Sequence, residues 1–261
     1  MIADIDLDHI AVAMEDRTAG RLRYAAELGG AWVGGGPEPG FWSEQVKYAN
    51  GMKVEILEPI DVEQNDFLRR FLDRNGPGPH HVTFKVADIV TALAKVEAAG
   101  YRPVSVNLDN PGWREAFLHP KDAPGIVVQL AQSDESSDWG MPLPAGYPEV
   151  TAPPATLERV THAVASLDEG LRLFRDLLSG TEVGRDADEA GRWVDLAWPG
   201  PGRIRLIEPA SASSPLATWI GDRAGRVHHL AFAVPGAGAP HEVSPADNLG
   251  VRLLVHGDDA D

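Results

Sequence analysis

Pro79-His80-His81-Val82-Thr83-Phe84-Lys85-Val86 runs directly into Ala87-Asp88-Ile89-Val90-Thr91-Ala92-Leu93-Ala94-Lys95-Val96-Glu97-Ala98-Ala99-Gly100. Val82, Phe84 and Val86 alternate with His81, Thr83 and Lys85, the period of a strand with one apolar face and a histidine on the other. In the second stretch Asp88 is placed to cap a helix, Ile89, Leu93 and Val96 share one side of it, and Gly100 supplies a left-handed stop. That helix is expected to cover the Val82/Phe84/Val86 face. His81 then looks the other way, into whatever the sheet encloses.

Working outward, the pattern recurs. Asp8-His9-Ile10-Ala11-Val12-Ala13, Thr161-His162-Ala163-Val164-Ala165 and His228-His229-Leu230-Ala231-Phe232-Ala233 resemble the stretch at His80-His81, so four histidines are read as opening four similar strands. Val54-Glu55-Ile56-Leu57-Glu58-Pro59 pairs in the same way with Ile204-Arg205-Leu206-Ile207-Glu208-Pro209. The sequence therefore predicts four β-α-β-β-β modules in two pairs, an α+β class. A short amphipathic helix over 65–75 and the breaker cluster Gly76-Pro77-Gly78-Pro79 separate the first two modules. The last module is truncated, because Pro235-Gly236-Ala237-Gly238-Ala239-Pro240 occupies the place of its helix. The expected domains are a pair over 1–132, a linker over 133–154 rich in Ser, Asp, Pro and Gly, and a degenerate pair over 155–261.

Composition narrows the function classes. A chain of 261 residues, 43% hydrophobic, has enough apolar material for packed cores. It has no cysteine, so disulfides, thiolate ligands and thiol nucleophiles are excluded. The net charge of −16 argues against a nucleic-acid partner. No apolar run approaches the roughly 20 residues that span a bilayer, and the start of the chain lacks the basic and apolar regions of a signal peptide. The expected setting is cytoplasmic, with a small-molecule substrate and a homodimer as an open option. Gly34-Gly35-Gly36 lacks the Lys-Ser/Thr of a phosphate loop and reads as a connection.

The alternation argument extends to the other signature strands. Ile10 and Val12 pack while His9, Ala11 and Ala13 face inward; Val54 and Ile56 pack while Glu55 does not; Val128 and Leu130 pack while Gln129 does not. If the first two modules pair into one curved sheet, His9, Glu55, His81 and Gln129 meet in one cavity. Two imidazoles, a carboxylate and an amide oxygen suit a divalent metal with open positions.

These residues carry a resemblance. Residues 4–131 resemble the vicinal oxygen chelate superfamily, and within it the methylmalonyl-CoA epimerases and glyoxalases I, through Asp8-His9-Ile10, Glu55-Ile56-Leu57-Glu58-Pro59, His80-His81-Val82-Thr83-Phe84 and Phe117-Leu118-His119-Pro120-Lys121. The second half resembles the same superfamily more weakly. The resemblance implies paired β-α-β-β-β modules, metal ligands at His9, Glu55, His81 and Gln129, and a divalent ion such as Zn, Ni, Co, Mn or Fe. It implies a metal-dependent isomerase, epimerase or lyase, acting through a metal-stabilised enolate on a small substrate with vicinal oxygens. One departure stands out: the family's last-strand ligand is usually a glutamate that also serves as a base, and a glutamine at 129 takes no proton. Glu55 is then the candidate base among the ligands, with Glu44 and Glu115 outside them. Trp113 and Arg114, in a loop that covers the cavity, and Lys85 are candidate substrate-binding residues.

Two other readings stay open. His9, His81 and Glu55 are also the donor set of ring-cleaving, non-haem ferrous dioxygenases. The eroded second pair, where Arg205 and Leu254 stand at ligand positions, suits a non-catalytic protein that binds a small molecule or an antibiotic.

Overall fold

The computed structural model describes residues 1–133 and 141–257. The first module consists of β1 (Ile5–Ala13), α1 (Arg17–Arg21) continuing as a π-helical segment over Leu22–Glu27, β2 (Ala31–Glu38), β3 (Phe41–Lys47) and β4 (Lys53–Pro59). Helix α2 (Phe67–Asn75) leads to the second module: β5 (Gly78–Val86), α3 (Ile89–Ala98), β6 (Pro103–Asn107), β7 (Arg114–Leu118) and β8 (Val127–Gln132). The third repeats the order with β9 (Thr156–Val164), α4 (Leu167–Leu171) extended by a π-helical segment over Arg172–Leu177, β10 (Thr181–Ala187), β11 (Gly191–Ala197) and β12 (Arg203–Pro209). After α5 (Pro215–Ile220), the fourth keeps only β13 (Gly225–Val234), β14 (His241–Val243) and β15 (Leu253–Gly257). The class is therefore α+β, with four modules in two pairs and the last one cut short.

The strands form two mixed sheets in the orders β2-β3-β4-β1-β5-β8-β7-β6 and β10-β11-β12-β9-β13-β15-β14. Compactness divides the chain differently. One unit joins Met1–Asp8 to the second and third modules, and the other joins the first module to the fourth. In the former, Phe84 packs at 5.1 Å from Trp198 and 6.3 Å from Phe174, and the Ile2 amide donates to Leu177 O. In the latter, Tyr48 meets Phe232 edge-on at 5.0 Å and its hydroxyl donates to Tyr24 O. No helix among the described residues is long and apolar enough to cross a membrane.

Local chemistry explains the recurrent signatures. Asp88 caps α3 by accepting from the Val90 and Thr91 amides, and these bonds, Thr91 first, hold its carboxyl below the usual carboxylate range. Gly100 ends the helix at φ +87°. The repeated Glu-Pro has a structural cause. Glu58 accepts the Arg17 amide at the start of α1, and Glu208 accepts the Leu167 amide at the start of α4, at 2.6 Å, each carboxylate sitting where the helix leaves N–H groups unpaired. Gly20 lets α1 lie close to the sheet, since a Cβ there would stand 2.4 Å from Met14 Sδ.

The stretch expected to link the two pairs lies partly outside the described residues. From Met141 it runs without helix or strand to β9. Trp32 Nε1 donates to Met141 O at 2.9 Å and the Trp32 ring meets Tyr147 edge-on at 5.2 Å.

Candidate metal centre

Parallel pairing of β1 with β4 sets Ile10 opposite Val54 and Ala11 opposite Glu55. Ile10, Val12, Val54 and Ile56 are all fully buried, so His9, Ala11, Ala13 and Glu55 turn to the opposite face. At one end that face is closed by α2, whose Leu68 and Leu72 pack with Ala11, Ala13 and Leu57 and draw in Phe41, Phe67 and Phe71. His80 stacks edge-on against Phe71 at 4.7 Å and Phe67 at 5.7 Å, a structural role. At the other end are His9, 1% exposed, and Glu55, whose carboxylate lies 3.5 Å from His9 Nε2 and accepts from Ser43 Oγ at 2.7 Å.

On β5, His81, Thr83 and Lys85 share a face, paired in parallel with Val127, Gln129 and Ala131 of β8. Antiparallel β7 adds Phe117 opposite Gln129 and Glu115 opposite Ala131. Ligand atoms of His9, Glu55 and His81 all lie within 4.8 Å of one another. Donors around an ion at bond lengths of about 2.1 Å stand roughly 3 to 4 Å apart, so closing on an ion requires shifts below about 1 Å. Two imidazoles and one carboxylate fit a borderline divalent metal and leave further coordination positions for water or substrate.

Gln129 is 6% exposed and held at both ends of its amide. Its Oε1 accepts from Thr83 Oγ1, and its Nε2 donates to Glu115 Oε2 at 2.6 Å. Trp113 Nε1 donates to the same Glu115 oxygen at 2.8 Å, and the Lys85 ammonium stands 3.9 Å from the Trp113 ring centroid while donating to Ser133 Oγ at 2.6 Å. Lys85 and Trp113 thus join one polar chain on the His81 side of the sheet. Arg114 does not. It pairs with Gln132 on the face of Ala116 and Leu118, near Asp88.

Of the two acids outside the expected ligands, only Glu115 belongs to this face. Glu44 pairs with Ile56 on the helix-covered side, fully buried, in a bidentate ion pair with Arg21 at 2.7 and 2.6 Å. Sequence reasoning set Thr83 on the His81 face without giving it a role, and did not find Ser43. The alternation Ser43-Glu44-Gln45 fixes two faces, but only the register with β4 tells which face meets Glu55.

The second pair corrects the reading of four equivalent histidines. His162 lies opposite Leu206, whereas Arg205 lies opposite Thr161, so His162 is on the helix-covered face and matches Val12 rather than His9. Its Nε2 donates to Pro124 O at 2.6 Å, and burial pushes the imidazole pKa down to about 4. Arg205 forms a bidentate pair with Asp195 at 2.7 and 2.6 Å and lies 3.7 Å from the Trp193 ring centroid. Helix α5, absent from the sequence reading, packs Leu216 and Ile220 on Ala163 and Ile207, as α2 does in the first pair.

Known proteins place this chain. Residues 8–117 match the model of the Glyoxalase/Bleomycin resistance protein/Dioxygenase superfamily. An ethylmalonyl-CoA/methylmalonyl-CoA epimerase of Cereibacter sphaeroides is 32% identical over 133 residues, 48% of this chain and 96% of that protein. The mitochondrial methylmalonyl-CoA epimerase of Homo sapiens is likewise 32% identical over 133 residues, 49% of this chain and 73% of that protein. Across nearly the full length, a hypothetical protein from Staphylococcus aureus shares the fold, with a TM-score of 0.64 at 13% identity over 97% of this chain and 99% of that one. With its paired β-α-β-β-β modules and an N-terminal half similar to these epimerases, the chain belongs to the glyoxalase/bleomycin resistance protein/dioxygenase superfamily.

Proposed function

We propose that this protein is a metal-dependent epimerase or isomerase that moves a proton next to a carbonyl in a small acyl ester, its metal held by His9, Glu55 and His81. The observation that carries this reading is the approach of those three side chains to within 4.8 Å, in a chain whose first half resembles acyl-CoA epimerases. A divalent ion supplies Lewis acidity toward adjacent substrate oxygens. His9 and His81 offer neutral nitrogen donors, and Ser43 orients Glu55 by donating to one of its oxygens. Gln129 is committed to Thr83 and Glu115, so the proposed ligand set rests on three side chains. Lys85, stacked on Trp113, sets a cation on this face for an anionic group of the substrate.

Two imidazoles and a carboxylate also support a second reading, a ferrous ring-cleaving dioxygenase. One experiment separates the two. Protein loaded with cobalt, zinc or ferrous ion is incubated in D2O with methylmalonyl-CoA or ethylmalonyl-CoA, and in parallel with catechols under oxygen. Deuterium appearing at the α-carbon with no oxygen uptake is the expected result. Oxygen uptake with iron, and no exchange with any of the metals, overturns the epimerase reading.

A further inference from the structure

Gln129 has an acidic neighbour. Strands β5, β8 and β7 are consecutive in their sheet, and on one face they carry Thr83, Gln129 and Phe117 in one row and Lys85, Ala131 and Glu115 in the next. Glu115 reaches back across that row, placing its carboxylate 2.6 Å from the Gln129 amide nitrogen. Its Oε2 accepts both Gln129 Nε2 and Trp113 Nε1, whereas Oε1 accepts no hydrogen bond among the described residues. Two donors fix the group's orientation and leave one oxygen's lone pairs open, the geometry a proton acceptor needs. The other acids do not combine these properties. Glu55 is assigned to the ion and bonded to Ser43, and Glu44 is locked to Arg21 on the opposite face of its sheet.

We propose that Glu115 is the catalytic base of this protein, taking over from β7 the proton-accepting role that Gln129 cannot fill on β8. The inference rests on the epimerase reading and deepens it. In the step, the α-carbon–hydrogen bond of the acyl ester breaks and its electron pair moves toward the adjacent carbonyl, giving an enolate. The proton passes to Glu115 Oε1, and the reverse step returns a proton to carbon, so no oxidant, reductant or co-reactant is consumed. Gln129 and Trp113 act as positioning residues, holding Oε2 so that Oε1 points away from them.

The test uses the full metal-loaded chain, with α-deuterium uptake from D2O into methylmalonyl-CoA and ethylmalonyl-CoA as the activity and calorimetric binding of oxalate, a planar enolate mimic, as a second readout. Glu115→Gln retains acceptors for Trp113 and Gln129, so the fold and metal content are expected to persist. Exchange should slow by about a hundredfold or more, the usual contribution of a general base. Oxalate should bind at least as tightly, because the amide imitates the protonated acid. The double variant E115Q/Q129E, with a carboxylate back on β8, should recover at least about tenfold of the lost exchange. Exchange in E115Q within about threefold of wild type overturns the inference alone, since the site then works without this carboxylate. Loss of metal or of oxalate binding in E115Q also overturns it, by marking a structural role. A metal-loaded wild type that shows neither exchange nor oxalate binding sinks the epimerase reading itself, and this inference with it.

Discussion

Replacing Arg21 with methionine removes the cationic partner of a carboxylate that water does not reach. Glu44 is 0% exposed and Arg21 6% exposed; two hydrogen bonds of 2.7 and 2.6 Å join them, and Trp42 Nε1 adds a third donor at 2.9 Å. Methionine preserves the volume beside Tyr147 but leaves Glu44 with one neutral donor. Breaking a buried pair from one side costs about 3 to 5 kcal/mol, because the remaining charge has lost its compensation. For units of this size that corresponds to a fall in Tm of roughly 10 to 20 °C. The double variant Arg21→Met/Glu44→Leu removes both charges and is expected to recover most of the loss, since apolar replacement of a buried pair is often neutral. Urea unfolding followed by circular dichroism measures both. A single variant that loses less than about 1 kcal/mol, or a double variant as damaged as the single one, refutes the argument that desolvated charge dominates here. The consequence reaches the site, because β3 carries Ser43 next to Glu44, and Ser43 orients Glu55.

Ser43→Ala removes the donor to Glu55 Oε1 and should weaken cobalt or zinc binding by about tenfold in calorimetry, while leaving the melting curve of the metal-free protein in place. Glu58→Ala removes the acceptor of the Arg17 amide at the start of α1, which Asp16 still caps, and breaks the pair with the Arg17 side chain, and should cost about 1 kcal/mol in urea melts. His162 makes the protein acid-sensitive. Its folded pKa of about 4 lies below the ordinary value of 6.5, so between these values the unfolded chain binds a proton that the folded one refuses. Stability is therefore full above pH 6.5 and falls as pH drops toward 4, by about 3 kcal/mol at most, and His162→Gln should flatten that slope in pH-dependent melts.

The parts of the structure that were legible in the sequence are those governed by local periodicity. Asp88 and Gly100 bound α3 because capping and left-handed turns depend on neighbours a few residues away. The inward facing of His9 and Glu55 follows from strict alternation with fully buried Ile10, Val12, Val54 and Ile56. What failed to be legible depends on register. His162 resembles His9 in its flanking residues, yet the pairing of β9 with β12 turns it to the other face. Glu44 and Glu115 could not be sorted by their own strands, since only cross-strand pairing tells which side of the sheet each occupies. Helix α5 escaped because Pro215–Ile220 is too short for helical periodicity to register.

Cobalt titration of metal-stripped wild-type protein and His81→Ala, with the ion content of each confirmed by elemental analysis, tests the metal assignment most directly. One ion per chain in the wild type, and affinity weakened by about a hundredfold or more in His81→Ala, is the expected result. Full occupancy in His81→Ala would show that His9, Glu55 and His81 do not act together on one ion, and the proposed chemistry would lose its foundation.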